Sequence, residues 1–467
     1  MNSKQTYKRK TSIMKNIKYI LALVAVLFAV QTRAQHTISG YFVDGYMYRH
    51  EINPAIGNSQ NFISTPLYGN LNFGIRGNMN LGDYIYVKNG KTTTFLNPSV
   101  SSSEFMGNIS DKNNLHFDAN IQIMSAGFKA FGGYNTIGVN LRASAYTMLP
   151  KALFLFAKEG LENKSYDISD FGMHANSYAE LSLGHSRNIN EKLRVGANIK
   201  FLVGLANIDA EFSKAQINLA EDSWTAVTNA QIQANVKGLT YETEISENTG
   251  NPYVSGMNID GYGVSGKGFA IDLGAEYKLD DNWKFGASLL DLGFISWSNN
   301  VVATTNGDKR FSTADYKFSF EEENENNFED EIERLGDGLA GLYELENAGD
   351  RGKRKKALGA TLNLAAEYTM PFYDRLSVGL INTTRFLEDC TWTDFRLSAN
   401  VAPLKWFSAN VNVAAGTYGC AFGWMLNVHP KGFNLFVGMD QVLGKVTEEF
   451  VPLSSNASMN IGINVPF

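Results

Sequence analysis

The chain predicts an all-β fold, a transmembrane antiparallel β-barrel, on three observations: strands with a period of two, turns that alternate between tight and long, and a final strand ending on an aromatic residue. In residues 193–205 every odd position is apolar, and every even position but Leu202 is polar, charged or glycine. A period of two sends alternate side chains to opposite faces of a strand. Residues 115–123, 137–145, 269–277, 283–289 and 459–467 repeat the pattern. Membrane-crossing strands need about 9–11 such residues, apolar side to lipid and polar side to lumen.

The turns carry the second observation. Tight polar turns occupy 132–135, 188–192, 279–282, 372–375, 402–405 and 429–432, where Gly, Pro, Asn and Asp supply the geometry. Longer stretches occupy 147–176, 206–265, 298–357, 387–393, 415–420 and 441–455. Counting back from the C-terminus gives strands near 456, 433, 421, 406, 394, 376, 358, 283, 269, 193, 178, 137, 115 and 70. All tight turns then fall on one side, as periplasmic turns do, and all long loops on the other. The total is about fourteen, an even number. Residues 224–236 also alternate, either extending a hairpin above the membrane or adding strands.

In the last strand Met459, Ile461, Ile463, Val465 and Phe467 alternate with Asn460, Gly462, Asn464 and Pro466. A barrel-assembly machinery would read this as an assembly signal. The alternative is a chance aromatic on an ordinary edge strand.

Residues 1–34 read as a signal peptide: Lys4, Lys8, Arg9, Lys10, Lys15 and Lys18 precede an apolar run at 20–30, and Thr32-Arg33-Ala34 offers a cleavage site near Ala34. Residues 35–66 form an N-terminal plug or hatch segment, and 67–467 the barrel, with external insertions at about 206–265 and 298–357. The expected location is the cell outer membrane. Beyond Ala34 no run of about 18 apolar residues could form a membrane helix. Residues 1–34 hold seven cations and no acid, so their removal takes the formal charge from −6 to −13. Such an acidic exported chain argues against nucleic acid as a partner.

Asn53-Pro54-Ala55 resembles an element of the long-chain fatty-acid transporter barrels, whose N-terminal segment folds into the lumen as a hatch ahead of fourteen strands; a plain turn is the other reading, since Pro fixes φ. Together with 190–196, 288–297 and 433–440, the chain resembles a Bacteroidota outer-membrane family of unknown function. That resemblance implies a barrel and its location but no activity. Related barrels of that phylum include parts of secretion and gliding machinery. Asp291 and Trp297 read as a lumen polar residue and an interfacial aromatic.

No catalytic set emerges. The six histidines show no metal spacing, and His185 and Ser186, being adjacent, face opposite sides of a strand. Gly261-Tyr-Gly263-Val-Ser-Gly266 imitates a phosphate loop, but a strand pattern follows it, so no helix N-terminus is there to hold phosphate. No cofactor or metal is expected. Cys390 and Cys420 fall in successive external loops, as a clamping disulfide or two free thiols. An acidic run at 321–334, followed by Leu335, Leu339, Leu342 and Leu345 and then the basic cluster 351–356, reads as a solvated helix or a lipopolysaccharide-facing loop. Three functions remain open: passive transport of hydrophobic small molecules, which the fatty-acid transporter resemblance implies; a non-enzymatic anchor or docking component; and a soluble secreted β-protein. Expected partners are outer-membrane lipid and lipopolysaccharide, the assembly machinery, and a hydrophobic ligand or protein.

Overall fold

The computed structural model describes residues 37–467 except 89–90, 160–163, 221–222, 248, 316–333, 336, 340, 389 and 443–455. The signal-peptide reading and most of the acidic run lie outside the described residues.

Fourteen antiparallel strands close into one barrel: β1 (Leu71–Gly77), β2 (Lys112–Ala130), β3 (Gly133–Pro150), β4 (Gly172–Asn188), β5 (Leu193–Leu219), β6 (Gly266–Lys278), β7 (Trp283–Trp297), β8 (Thr361–Thr369), β9 (Leu376–Arg385), β10 (Trp392–Leu404), β11 (Phe407–Gly416), β12 (Gly419–Val428), β13 (Asn434–Met439) and β14 (Ala457–Pro466). They are the fourteen strands that the alternation predicts. Closure runs through β1, where Leu71 pairs with Ile461 of β14 on one side and Ile121 of β2 on the other. A short strand, Phe62–Ser64, extends the same position, between β14 and β2. A closed ring leaves no edge whose amides would go unpaired in hydrocarbon.

The two faces invert the arrangement of a soluble protein. Ile199, Phe201, Leu273, Leu364, Leu380, Leu397, Val411, Val413, Phe422 and Val465 are exposed outward, while Asn120, Asn140, Asn198, Asn363, Asn400, Asn410, Asn427 and Asn460 are buried inside. Phe285 and Phe294 lie outward on β7, nine residues apart. At about 3.3 Å per residue and a tilt near 40°, they bracket roughly 23 Å, close to the ~25 Å apolar band of a membrane barrel. At the tight-turn end Trp283 packs on Phe285 and Tyr368, with ring centroids 5.8 and 4.8 Å apart.

At the long-loop end the wall continues as sheet. Trp224–Val236 pairs with the upper half of β5, and with Asn300–Thr304 and Lys309–Ser312. It therefore extends a hairpin and adds no barrel strand. The hairpin Leu239–Ile245/Pro252–Ile259 forms a separate two-stranded sheet, and Leu239, Tyr241 and Val254 pack with Ala234, Ala303, Ile208 and Val301.

Two expectations need correction. Cys390 and Cys420 are both free. Cys420 lies on the outward face of β12 with Phe422 and Leu426, whereas Cys390 Sγ sits 3.3 Å from Tyr418 Oη, which bonds the buried His116. Trp297 is not an interfacial aromatic; it is 2 % exposed and lies inside, over Gly204 and Gly266, with Tyr178, Leu202, Ala270 and Ile295. The cause is a bulge in β7. Ile271 pairs with Leu292 and Leu273 with Leu289, so Leu290 and Asp291 share one place in the ladder. Asp291 takes φ +58°. The outward set runs 285, 287, 289 and then 292, 294, so Trp297 falls on the inner side.

Candidate functional site

The lumen is the site. Residues 37–58 lie within the ring, and most of them are buried. Asn53 Oδ1 accepts from the Ala55 amide (3.0 Å), and its Nδ2 donates to the Ala275 carbonyl (3.1 Å) and to Tyr41 Oη (3.2 Å). Asn53-Pro54-Ala55 is thus an Asx-stabilised turn buried against β6. The preceding Ile52 carbonyl accepts from Ser288 Oγ (2.7 Å) and Asn363 Nδ2 (3.2 Å). Glycines clear the space: a Cβ at Gly196 would overlap the Pro54 carbonyl, one at Gly274 the Asn53 side chain, one at Gly286 Tyr41 Oη and one at Gly379 the Phe42 ring. Sequence reasoning missed these four; glycines on the polar phase of an alternating strand were the signal.

The segment meets the opposite wall through neutral groups and two carboxylates, its own Glu51, which accepts from Asn70 and Gln122, and Asp440 of the wall. The Asp440 carboxylate accepts from the Ile38 and Ser39 amides (2.9 and 2.7 Å) and from Ser39 Oγ (2.6 Å). Ser408 and Asn427 donate to the Asp44 carbonyl. Tyr48 Oη donates to Asn464. Two apolar clusters fill the rest: Tyr41, Phe42, Ile52 and Ile56 on Ala365 and Ile381, and Val43, Tyr46, Met47 and Tyr48 on Phe62, Met425 and Phe436.

Across the lumen, five ionisable side chains form one buried network. Arg142 holds Asp291 (3.1 Å) and Glu180 (3.2 Å), and Lys200 holds Asp291 (2.6 Å) and Asp272 (2.8 Å). The Asp291 amide donates to Asp272 Oδ1 (2.8 Å), so the left-handed Asp291 both closes the bulge and aims its carboxylate at the two cations. Asp291 is the lumen polar residue that the sequence suggests; its partners, set by non-local pairing, were not legible.

Towards the long-loop end a row of inward residues faces one another across adjacent strands: Arg76, His116, Tyr146, His174 and Asp209. His116 stacks on Tyr146 (4.4 Å), and Tyr146 lies parallel to His174 (5.9 Å). His174, Asp209 and Glu211 bring ligand atoms within 4.8 Å of one another. They do not fit a metal, because the Asp209 oxygens already bind His174, Asn207, Arg354 and Lys356. Burial alone would raise the Asp209 pKa, but His174, Lys356 and Arg354 hold it below the ordinary carboxylate range. At the opposite end a cavity of about 140 Å³ lies between the N-terminal segment and the wall, lined by Tyr41, Phe42, Arg49, Arg194, Glu276 and Glu367 among others. In the last strand Met459, Ile463, Val465 and Phe467 are exposed outward, with Ile461 half-buried on the same face.

Fold and site define a closed fourteen-stranded β-barrel with an apolar exterior and a polar, internally bonded lumen. The chain belongs to a family of unknown function (DUF5723), whose model matches residues 54–440. No curated protein matches it. Among solved structures it is similar to a TodX monoaromatic hydrocarbon channel mutant (8 % identity, TM-score 0.42, covering 94 % of this chain and 96 % of that one). It is also similar to the Ralstonia pickettii toluene transporter TbuX (7 %, 0.40, 89 % and 90 %) and a Pseudomonas aeruginosa FadL homologue (10 %, 0.39, 93 % and 99 %).

Proposed function

We propose that this protein is an outer-membrane channel for passive transport of small hydrophobic molecules, with its tight turns in the periplasm and residues 37–58 as its plug. The observation that carries the reading is the pair of apolar clusters between this segment and the wall, in a lumen lined elsewhere by Asn, Ser, Thr and ion pairs except at the Trp297 cluster. Withdrawal of the segment would bare Phe62, Met425, Phe436, Ala365 and Ile381, a surface suited to an apolar solute. The segment is held by side-chain hydrogen bonds and packing, which can be exchanged without opening the barrel. The outward face of the last strand serves assembly.

The test is permeation into proteoliposomes of a small aromatic solute against a sugar of similar size. The wild type should pass the aromatic solute and exclude the sugar, and deletion of residues 37–58 should pass both. Exclusion of both solutes by the two proteins would sink the transport reading. The extramembrane sheet, with a core of its own, favours a second reading as a docking component. A deletion strain with normal uptake of apolar solutes but a dispersed surface assembly would select it.

A further inference from the structure

We propose that Lys237, Lys267 and Lys355 form a binding site for the phosphate of an anionic lipid headgroup on the barrel's outer surface, at the long-loop end. The proposal rests on the membrane reading above. On the outward face Lys267 of β6 pairs with Ser296 of β7, and Ser296 pairs with Lys355. The two lysines therefore flank one serine in a single cross-strand row. Their backbones are about 10 Å apart at a strand spacing of about 4.8 Å, within reach of one phosphate for two flexible side chains.

Height selects lipid as the source of the anion. The next outward row down is Phe269 paired with Phe294, and the Phe269 ring packs edge-on to Phe201 at 6.1 Å. Those rings end the apolar band, so the lysine row stands at headgroup level. Lys355 Nζ sits 3.6 Å from the Phe294 centroid, bent along the wall. The glycine loop that imitates a phosphate loop borders the same row. Lys237 lies along Gly263, and Tyr262 (92 % exposed) and Val264 (48 %) project from it as interfacial anchors would.

Pairing supplies an internal control. In the strand Arg354–Ala357, Arg354 and Lys356 turn inward onto Asp209, while Lys355 turns outward. Among the described residues no carboxylate lies within salt-bridge distance of Lys237, Lys267 or Lys355. Three cations without a carboxylate partner among the described residues, beside an apolar band, are complementary to an anion held at that height by its own acyl chains.

The experiment reads retention of diphosphoryl lipid A by the full-length protein in detergent, by native mass spectrometry. The wild type should retain it, K237Q/K267Q/K355Q should bind at least tenfold more weakly, and K405Q, altered at the opposite end, should match the wild type. K237R/K267R/K355R, which keeps the charge, should also match it. Equal retention by the glutamine variant would overturn the proposal. So would competition by millimolar inorganic phosphate, which would make the site one for a free anion. A gel shift between boiled and unboiled wild type checks the membrane reading separately.

Discussion

The two halves of the wall are built differently. Strands β2 to β7 run 13 to 27 residues, and their inner face carries the Arg142–Glu180–Lys200–Asp272–Asp291 network. Strands β8 to β14 run 6 to 13 residues, and their inner face is mostly Asn, Ser and Thr. The long half is interrupted by register shifts beyond Gln122, Ser177 and Ile271; the short half shifts once, at a hairpin end between Val401 and Leu404. Charge needs its geometry fixed where it is buried, because a carboxylate without its cation is far costlier than an amide without its partner. The long half thus carries strained, irregular backbone to aim its charges. The short half holds fewer charges, chiefly Arg396 paired with Asp394 (2.9 Å) on β10, and elsewhere bonds amide to amide with regular strands, as where Asn400, Asn410 and Asn412 form a ladder across β10 and β11.

The sharpest way to break the comparison is Asp291→Ala. It removes the carboxylate that Arg142 and Lys200 share, leaving Glu180 to the one and Asp272 to the other, and takes away the side chain that closes the bulge. We expect a loss of about 3–5 kcal/mol, read as a lower temperature for the heat-modifiable gel shift. Gly196→Val drives side-chain atoms into the Pro54 carbonyl. It should cost about 1–3 kcal/mol and raise sugar leak into proteoliposomes, because the segment is displaced while the ring stays closed. Asn410→Ala, in the neutral half, should cost only about 1 kcal/mol in the same gel assay; a loss matching that of Asp291→Ala would erase the distinction between halves.

The smallest effect concerns pH. His429, in a tight turn outside the band, packs on Gly45 of the N-terminal segment, and burial lowers its pKa below the ordinary imidazole value. The neutral ring is the folded form. Stability should therefore be complete above about pH 6.5 and fall as the pH drops below it, where the unfolded chain takes up the proton first. Melting curves at pH 7.5 and 5 should differ slightly for the wild type, and less for His429→Gln.

Legibility in the sequence follows the same division. In the short half one period of two runs from Leu376 to Leu380 and unbroken from Phe407 to Gly416, so faces and turns could be read directly. In β7 the same count carried past Leu289 puts Trp297 outside, and it lies inside. The slip was present in the chain, where the leucine after Leu289 on the outward face stands at 292 and position 291 is an aspartate. A single displaced apolar residue has no local meaning until the neighbouring strand fixes the register. Asn53-Pro54-Ala55 was legible as a turn. Its burial against Gly196 and Gly274, more than a hundred residues away, was not, because glycine reports only that space is needed and not what fills it. For Cys390 and Cys420 the sequence left a disulfide and two free thiols open, and the thiols are free; proximity in loop order says nothing of which side of the wall a thiol faces.

The bulge in β7 gives the strand something like a reading frame, and the frame shifts between Leu289 and Leu292. Deleting Leu290 alone would rejoin the two halves of the strand in one plain alternation, with Phe294 still facing lipid and Trp297 still facing the lumen. A single deletion elsewhere in the strand, at Ala287 for example, would throw every residue on one side of the cut onto the wrong face. Loss of one residue should therefore be tolerated at the bulge, where it disturbs only the aim of Asp291, and should abolish insertion of the barrel when made a few positions away.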